Sequence, residues 1–147
     1  MAAILPVFST IGPPTPTHER RTRQQYGRFV QLTVERLVEC ALSVDSSRLS
    51  LPRRGSRGIL FARHLAMYLA VVEGGLSRTE CGRLFNRDRR SVAYAVALVE
   101  QRRDDDPDLD KILERLAPRL HSALATHVTQ QLCTRPHDFR TQPDLTS

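Results

Sequence analysis

LSRTECGRLFNRDRRSVAYAVALV, residues 76–99, predicts two helices that meet at a tight turn. Ser77 and Glu80 have the spacing of a capping box, in which each residue satisfies a free backbone N–H of the other. The first helix should therefore begin near Arg78. Leu84 and Phe85 close it, because the next residues are turn formers rather than apolar residues.

The second helix is indicated by its cap and by its apolar spacing. Asn86 suits a left-handed turn residue, and Asp88 is a candidate N-cap. Four apolar residues follow at positions i, i+3, i+4 and i+7, so one face should be buried: Val92, Ala95, Val96 and Val99. The first turn of this helix then consists of Arg89, Arg90 and Ser91.

Polar residues in that first turn are typical of DNA-binding helix-turn-helix motifs. In such motifs the N-terminal residues of the second helix meet base edges, while the first helix crosses the backbone. The pattern therefore predicts a recognition helix that enters the major groove. The alternative is an ordinary two-helix corner with a solvated arginine cluster.

Composition favours a polyanionic partner. The chain has 147 residues, which suits one core, and its formal charge is +6. Of its 22 basic residues only Lys111 is a lysine, and the planar guanidinium suits phosphate and guanine better than an ammonium does. A GC-rich genome is the alternative explanation for the arginines.

Several function classes lack support in the sequence. Three widely separated cysteines without a CxxC pair indicate neither a disulfide framework nor a zinc site. The histidines lack ligand or catalytic spacing, and the longest apolar run is short for a membrane span. We therefore expect a cytoplasmic protein that is not an enzyme, with no metal, no cofactor, no small-molecule substrate and no membrane.

The N-terminal half predicts a leader and a first helix. Residues 1–18 include several prolines and no periodicity, which indicates a disordered leader. A helical DNA-binding domain follows over residues 19–103, with its helix-turn-helix at 76–103. Its first helix should begin near Glu19 and pack an apolar stripe on the core, whereas its arginines form a solvated face.

A basic loop and a buried helix come next. The loop is rich in serine, proline and glycine and holds four arginines that suit phosphates or a neighbouring minor groove: Arg48, Arg53, Arg54 and Arg57. Residues 59–73 are apolar on nearly all sides and predict the central helix. Arg63 and His64 should share its exposed edge, where they either clamp phosphates or only solubilise the helix.

The C-terminal part begins with an acidic segment, whereas the part before it is basic. Asp106 is a candidate cap before Pro107, and residues 104–132 keep helical apolar spacing. Pro118 should break or kink this segment, so we expect two short helices. The first packs on the domain, and the second either closes the core or presents an apolar strip to a partner. Residues 133–147 predict a disordered tail.

The order of these parts resembles the C-terminal DNA-binding domain of the bacterial replication initiator DnaA. The resemblance covers roughly residues 26–103 and rests on RHLAMYLA, on a short helix opening LSxxExGxLF, and on RDxxSVxxAxxxVE. It implies a Trp-repressor-like, all-helical bundle that reads double-stranded DNA. It further implies major-groove contacts from the recognition helix and a minor-groove arginine from the basic loop.

The resemblance also carries over individual residues. Arg87 and Asp88 match the family's Arg-Asp pair, and Ser91 matches its second threonine. Arg63 matches an arginine that contacts phosphate, whereas Arg54 and Arg57 only flank the minor-groove position. The predicted base contacts are therefore Asp88, Arg89, Arg90 and Ser91. The predicted backbone or minor-groove contacts are Arg53, Arg54, Arg57, Arg63, His64, Arg78 and Arg87.

The departures from the family lie at the tip of the motif. Asn86 alone stands where the family has glycine, Arg89-Arg90 replaces His-Thr, and Tyr94 replaces a second histidine. Because arginine prefers the guanine edge, we expect a preference distinct from the initiator's own box, or weaker specificity. The ATPase module is missing, since no GxxxxGK[ST] motif occurs.

The prediction is a stand-alone, sequence-selective DNA-binding regulator associated with the nucleoid. Stand-alone proteins similar to this family imply two roles: transcription control of gene-transfer-agent or phage-derived genes, or control of chromosome replication. RNA polymerase or another regulatory protein is the expected partner of the C-terminal helices. A protein-interaction module that does not use DNA is the alternative from another class.

Overall fold

The computed structural model describes residues 16–49, 51 and 56–134, and these residues form five α-helices and no strand. The all-α fold class is confirmed. The helices are α1 (Pro16–Leu42), α2 (Arg57–Tyr68), α3 (Arg78–Phe85), α4 (Arg89–Asp105) and α5 (Pro107–Thr134). A 3-10 helix lies at Ser46–Arg48, and a π-helical turn at Leu69–Glu73 extends α2.

Helix α2 and its π-helical extension lie at the centre of the bundle, as their apolar sequence predicts. Their buried side chains include Leu65, Met67 and Leu69. Helices α1, α3 and α4 pack around them through Val34, Phe85 and Val99 among others, because each presents an apolar stripe at helical spacing. The position of α4 therefore depends on the core and not on its own hydrogen bonds alone.

Helix α5 crosses Pro118 without a break, so the expectation of two short helices is wrong. A proline inside a helix removes one hydrogen bond and crowds the preceding turn, at a cost of about 3 kcal/mol. Leucines on both sides of it are nevertheless buried in the core: Leu113, Leu116, Leu120 and Leu124. A continuous helix keeps all of them packed, and this burial offsets the local cost.

The far end of α5 is held against α1 but is only partly covered. The His127 ring stacks on the Phe29 ring with their centroids 3.9 Å apart, whereas Val128 and Leu132 remain 45% and 67% exposed. The two alternatives for this segment therefore both describe part of it. Its first half closes the core, and its last turns leave an apolar strip.

The N-terminal boundary differs slightly from the prediction. Helix α1 begins at Pro16, three residues before the predicted start near Glu19. Proline is favoured in the first turn of a helix, where its missing N–H has no intrahelical partner to lose. The rest of the predicted leader and residues 135–147 of the predicted tail lie outside the described residues.

Over residues 16–49, 51 and 56–134, every helix is either too short or too polar to cross a bilayer.

Candidate nucleic-acid interface

The turn between α3 and α4 has the conformation that its sequence predicts. Asn86 adopts a left-handed conformation, with φ 58° and ψ 46°, and asparagine tolerates this region better than most residues. The Arg87 N–H donates to the Gly82 carbonyl at 2.8 Å. A Cβ on Gly82 would stand only 2.6 Å from the Arg87 carbonyl oxygen. Glycine at this position therefore allows the turn to lie directly against α3.

Helix α3 is fixed at its start by the predicted capping box. The Ser77 hydroxyl accepts from the Glu80 N–H at 3.1 Å, and the Glu80 carboxylate accepts from the Ser77 N–H at 2.8 Å. Arg23 of α1 also donates to this carboxylate, at 2.6 and 2.9 Å. Its guanidinium lowers the pKa of Glu80 to about 2. One carboxylate thus satisfies a helix end and also ties α3 to α1.

Asp88 caps α4, as predicted. Its carboxylate accepts from the Ser91 N–H at 2.8 Å, and its backbone is extended. The hydrogen bond from Ser91, assisted by the backbone and charge of Arg90, lowers the pKa of Asp88. Because the carboxylate is exposed and already engaged at the helix end, its first role in this fold is to start α4.

Three of the predicted contact residues come together beside this cap. Arg89 and Arg90 occupy the first turn of α4 and are exposed, and Arg78 of α3 lines the same open groove together with Asp88 and Ala93, so three guanidinium groups face one carboxylate. Helix α4 has no acidic residue in its first turn. Within the described part of the chain, these three guanidinium groups make no hydrogen bond or salt bridge. The groove is therefore positively charged and open to a ligand.

Arg63 does not lie on an exposed edge, so that expectation is wrong. Its side chain is only 2% exposed and donates from Nε to the Leu49 carbonyl at 2.6 Å. Its Nη2 donates to the carbonyls of Arg48 and Leu51, each at 3.2 Å. The backbone at residues 48, 49 and 51 covers the guanidinium, which helical spacing alone does not reveal. Burial, and then the charge of Arg87, lowers the pKa of Arg63.

Arg87 is also directed toward this loop. Its Nη2 donates to the Leu51 carbonyl at 2.7 Å, and its Nη1 donates to the Asn86 carbonyl at 3.0 Å. The Leu51 carbonyl therefore accepts from the guanidinium groups of both Arg63 and Arg87. Arg63 thus attaches these loop residues to α2, and Arg87 attaches them to the turn between α3 and α4.

The remaining predicted contacts are divided between described and undescribed parts of the chain. Arg57 is exposed at the first position of α2, after the Ser56 cap. Arg48 is exposed in the 3-10 helix. Arg53 and Arg54 lie outside the described residues. The structure thus brings Arg78, Arg89 and Arg90 into one groove and leaves Arg57 at the N-terminus of another helix.

His64 of α2 and Tyr94 of α4 face each other across a second groove. Their rings meet edge to face, with the centroids 6.1 Å apart and the planes 80° apart. Burial of the imidazole, together with the charges of Arg63 and Arg102, lowers the pKa of His64. Arg90 and Ser91 also line this groove. The two grooves therefore meet at the first turns of α4.

Tyr94 and Arg102 are candidate contact residues that the sequence reasoning did not select. Tyr94 follows Arg90 by four residues, so the two share a helix face, and its ring is 63% exposed. Arg102 lies farther along α4, with its guanidinium carbon 4.8 Å from the centre of the Phe61 ring. The i, i+4 spacing was a signal for Tyr94, whereas only the packing of α2 on α4 brings Arg102 close to His64.

A similarity to a known protein extends over most of the chain. The chromosomal replication initiator protein DnaA of Gloeobacter violaceus is 33% identical to it over 103 residues. This chain is similar to DnaA. The match covers 69% of the chain but only 22% of DnaA, so the chain spans about a fifth of the relative it matches. No family model matches the chain.

Proposed function

We propose that this protein is a sequence-selective, double-stranded DNA-binding regulator related to the C-terminal DNA-binding domain of DnaA. In this proposal α3, the turn at residues 86–88 and α4 form a helix-turn-helix, and the first turns of α4 enter the major groove. The observation that carries the proposal is the open groove of Arg78, Arg89 and Arg90 at the N-terminus of α4. The similarity to DnaA supports the same assignment.

Electrostatics favours an anionic ligand at this groove. The N-terminus of a helix carries a partial positive charge, so each cation placed there costs about 0.3 to 1 kcal/mol at low ionic strength. Helix α4 places Arg89 and Arg90 there, where the carboxylate of the Asp88 cap offsets part of their charge. A phosphate backbone reduces the remaining repulsion, because it supplies negative charge to the arginines and to the helix end together.

Within this function the arginines have two kinds of role. Arg89 and Arg90 are the proposed base contacts, since a guanidinium matches the O6 and N7 acceptors of guanine. Arg78 from α3, Arg57 at the start of α2 and Arg102 on α4 are the proposed phosphate contacts. Asp88 and Ser91 are assigned to the start of α4, where any base contact from them is secondary to the cap.

Selection of binding sites from random duplex DNA tests the proposal. The wild type should select a defined sequence, and its affinity should fall with salt at a log-log slope of about 0.9 per phosphate neutralised. The R89A/R90A double variant should lose about 1 to 3 kcal/mol per base contact and much of its sequence preference. The control is R115A/R119A, which removes the same charge from exposed positions on α5.

The comparison of the two double variants shows whether DNA binding depends on net charge or on specific contacts of the recognition helix. If both double variants weaken binding equally, only net charge matters and the recognition-helix assignment is wrong. If the wild type binds no DNA at low salt, the protein-interaction alternative replaces this proposal. No catalytic role, metal or cofactor is part of it.

Transcription control is our first assignment for the biological role, and control of replication initiation is the alternative. Genome-wide occupancy distinguishes the two, because a transcription regulator occupies promoters whereas a replication regulator occupies an origin. Occupancy would also test the expected association with the nucleoid. The apolar strip of Val128 and Leu132 supports a further protein partner at the end of α5, such as RNA polymerase.

A further inference from the structure

Tyr94 has an unusual environment for a large aromatic side chain. It lies on α4, four residues after Arg90, and its ring is 63% exposed. The residues before and after it on the opposite face, Val92 and Val96, are buried in the core. Tyr94 therefore makes little contribution to the core, and its exposed ring stands on the face of α4 proposed to enter DNA.

The ring is nevertheless supported from one side. The His64 imidazole meets it edge to face at 6.1 Å, and Leu60, Met67 and Leu98 line the same groove. Edge-to-face pairs are favourable arrangements for aromatic rings. Because His64 comes from α2, the tyrosine ring is braced by a second helix while much of its surface stays open.

The chemistry of the major groove limits what such a ring can recognise. Most groups on its floor are hydrogen-bond donors or acceptors, and the C5 methyl of thymine is the apolar one. The arginines beside Tyr94 match guanine and phosphate. A mainly apolar ring on the same helix face instead matches the thymine methyl.

We propose that Tyr94 is a specificity-determining residue whose ring contacts the C5 methyl of a thymine in the target site. This inference rests on the proposed function and extends it to the identity of one base pair. Four helical residues rise about 6 Å along the axis, and stacked base pairs are about 3.4 Å apart. The thymine should therefore lie one or two base pairs from the guanine read by Arg90.

Replacement of single thymines by uracil tests the inference directly, because it removes the methyl group and leaves base pairing intact. The duplex is the site selected by the wild type, and each thymine is replaced in turn. One replacement, next to the Arg90 guanine, should weaken wild-type binding about fourfold, as expected for loss of one buried methyl-sized group. Y94F should keep this sensitivity, and Y94A should lose it at that position alone.

Two results with the variants would overturn the inference. Y94A would retain the same sensitivity to uracil at every position, or Y94F would behave like Y94A, which would assign the effect to the hydroxyl group. Thermal melting of both variants checks the fold, and the exposure of the ring predicts little change. A wild type that selects a site but is insensitive to every uracil contradicts this inference alone. Absence of any DNA binding contradicts the proposed function instead.

Discussion

Two groups of arginines on either side of the α3–α4 turn are used in different ways. Arg63 and Arg87 donate to backbone carbonyls of the loop before α2, and Arg63 is almost fully buried. On the other side, Arg78, Arg89 and Arg90 surround an open groove. The first group holds the fold together, and the second leaves charge available. The number of arginines in the chain therefore does not show how many are available to bind DNA.

Loss of Arg63 should have the largest effect on stability. R63M removes the donor for three buried or partly buried carbonyls, so the free energy of unfolding should fall by about 2 to 4 kcal/mol. Urea denaturation followed by circular dichroism measures this change. The control is R57M, an exposed position on the same helix, which should change stability by less than about 0.5 kcal/mol. Equal effects at the two positions would remove the distinction between the two groups.

The turn that separates the two groups depends on Gly82. G82A places a Cβ against the Arg87 carbonyl, so the turn must move, and stability should fall by about 1 to 3 kcal/mol. Its matched control is G27A on α1, where the nearest atom to the new Cβ is Leu84 Cδ1 at 3.4 Å. That substitution should be neutral or slightly stabilising, because alanine is the better helix former. Thermal melting of both variants makes the comparison.

Arg23 provides a third case, in which the partner is a carboxylate and therefore titrates. The pKa of Glu80 is about 2 in the folded protein and near 4.5 as its ordinary value. The contribution of the ionised Glu80 to stability is therefore fully present above pH 4.5 and is lost as the pH falls toward 2. After discounting for partial exposure, we expect about 1 to 2 kcal/mol.

The matching experiment compares the wild type with E80Q across pH. The wild type should be more stable at pH 7, and the difference should shrink between pH 4.5 and pH 2. A difference that stays constant over this interval would show that the Glu80 charge does not contribute through its pairing with Arg23.

The two groups of arginines should also differ in their effect on DNA binding, and the variants that show this should change the fold least. R78M removes a free guanidinium, so the log-log salt slope should fall by about 0.9 while stability stays within about 0.5 kcal/mol. R87M should instead lower stability by about 1 kcal/mol through loss of the Leu51 contact and leave the salt slope unchanged. A reduced slope for R87M would make Arg87 a phosphate contact and move it to the second group.

The local features of the motif were predictable because each depends on residues close in sequence. The capping box of Ser77 and Glu80, the left-handed Asn86 and the Asp88 cap are set by side chains within three residues of the backbone groups they satisfy. The buried faces of α2 and α4 likewise follow from helical spacing. These are also the features that bring Arg89 and Arg90 to a helix N-terminus.

Apart from the start of α1, the errors and omissions arose where distant parts of the chain meet. The loop that covers Arg63, the leucines that keep α5 continuous through Pro118 and the His64 ring beside Tyr94 depend on packing between separate elements. Periodicity reports which face of a helix is apolar, but it does not report what covers that face. For this reason the sequence predicts an exposed Arg63, whereas the structure buries it.

The amino-acid sequence by itself determined that this protein is all-helical, strongly basic and built around two helices with a charged tip, because propensity, capping and spacing are local. The tertiary structure alone decided which arginines remain available. A guanidinium has five N–H donors, and it can donate them to carbonyls of its own chain or to an external anion. Only the three-dimensional position of carbonyls such as that of Leu51 distinguishes the two.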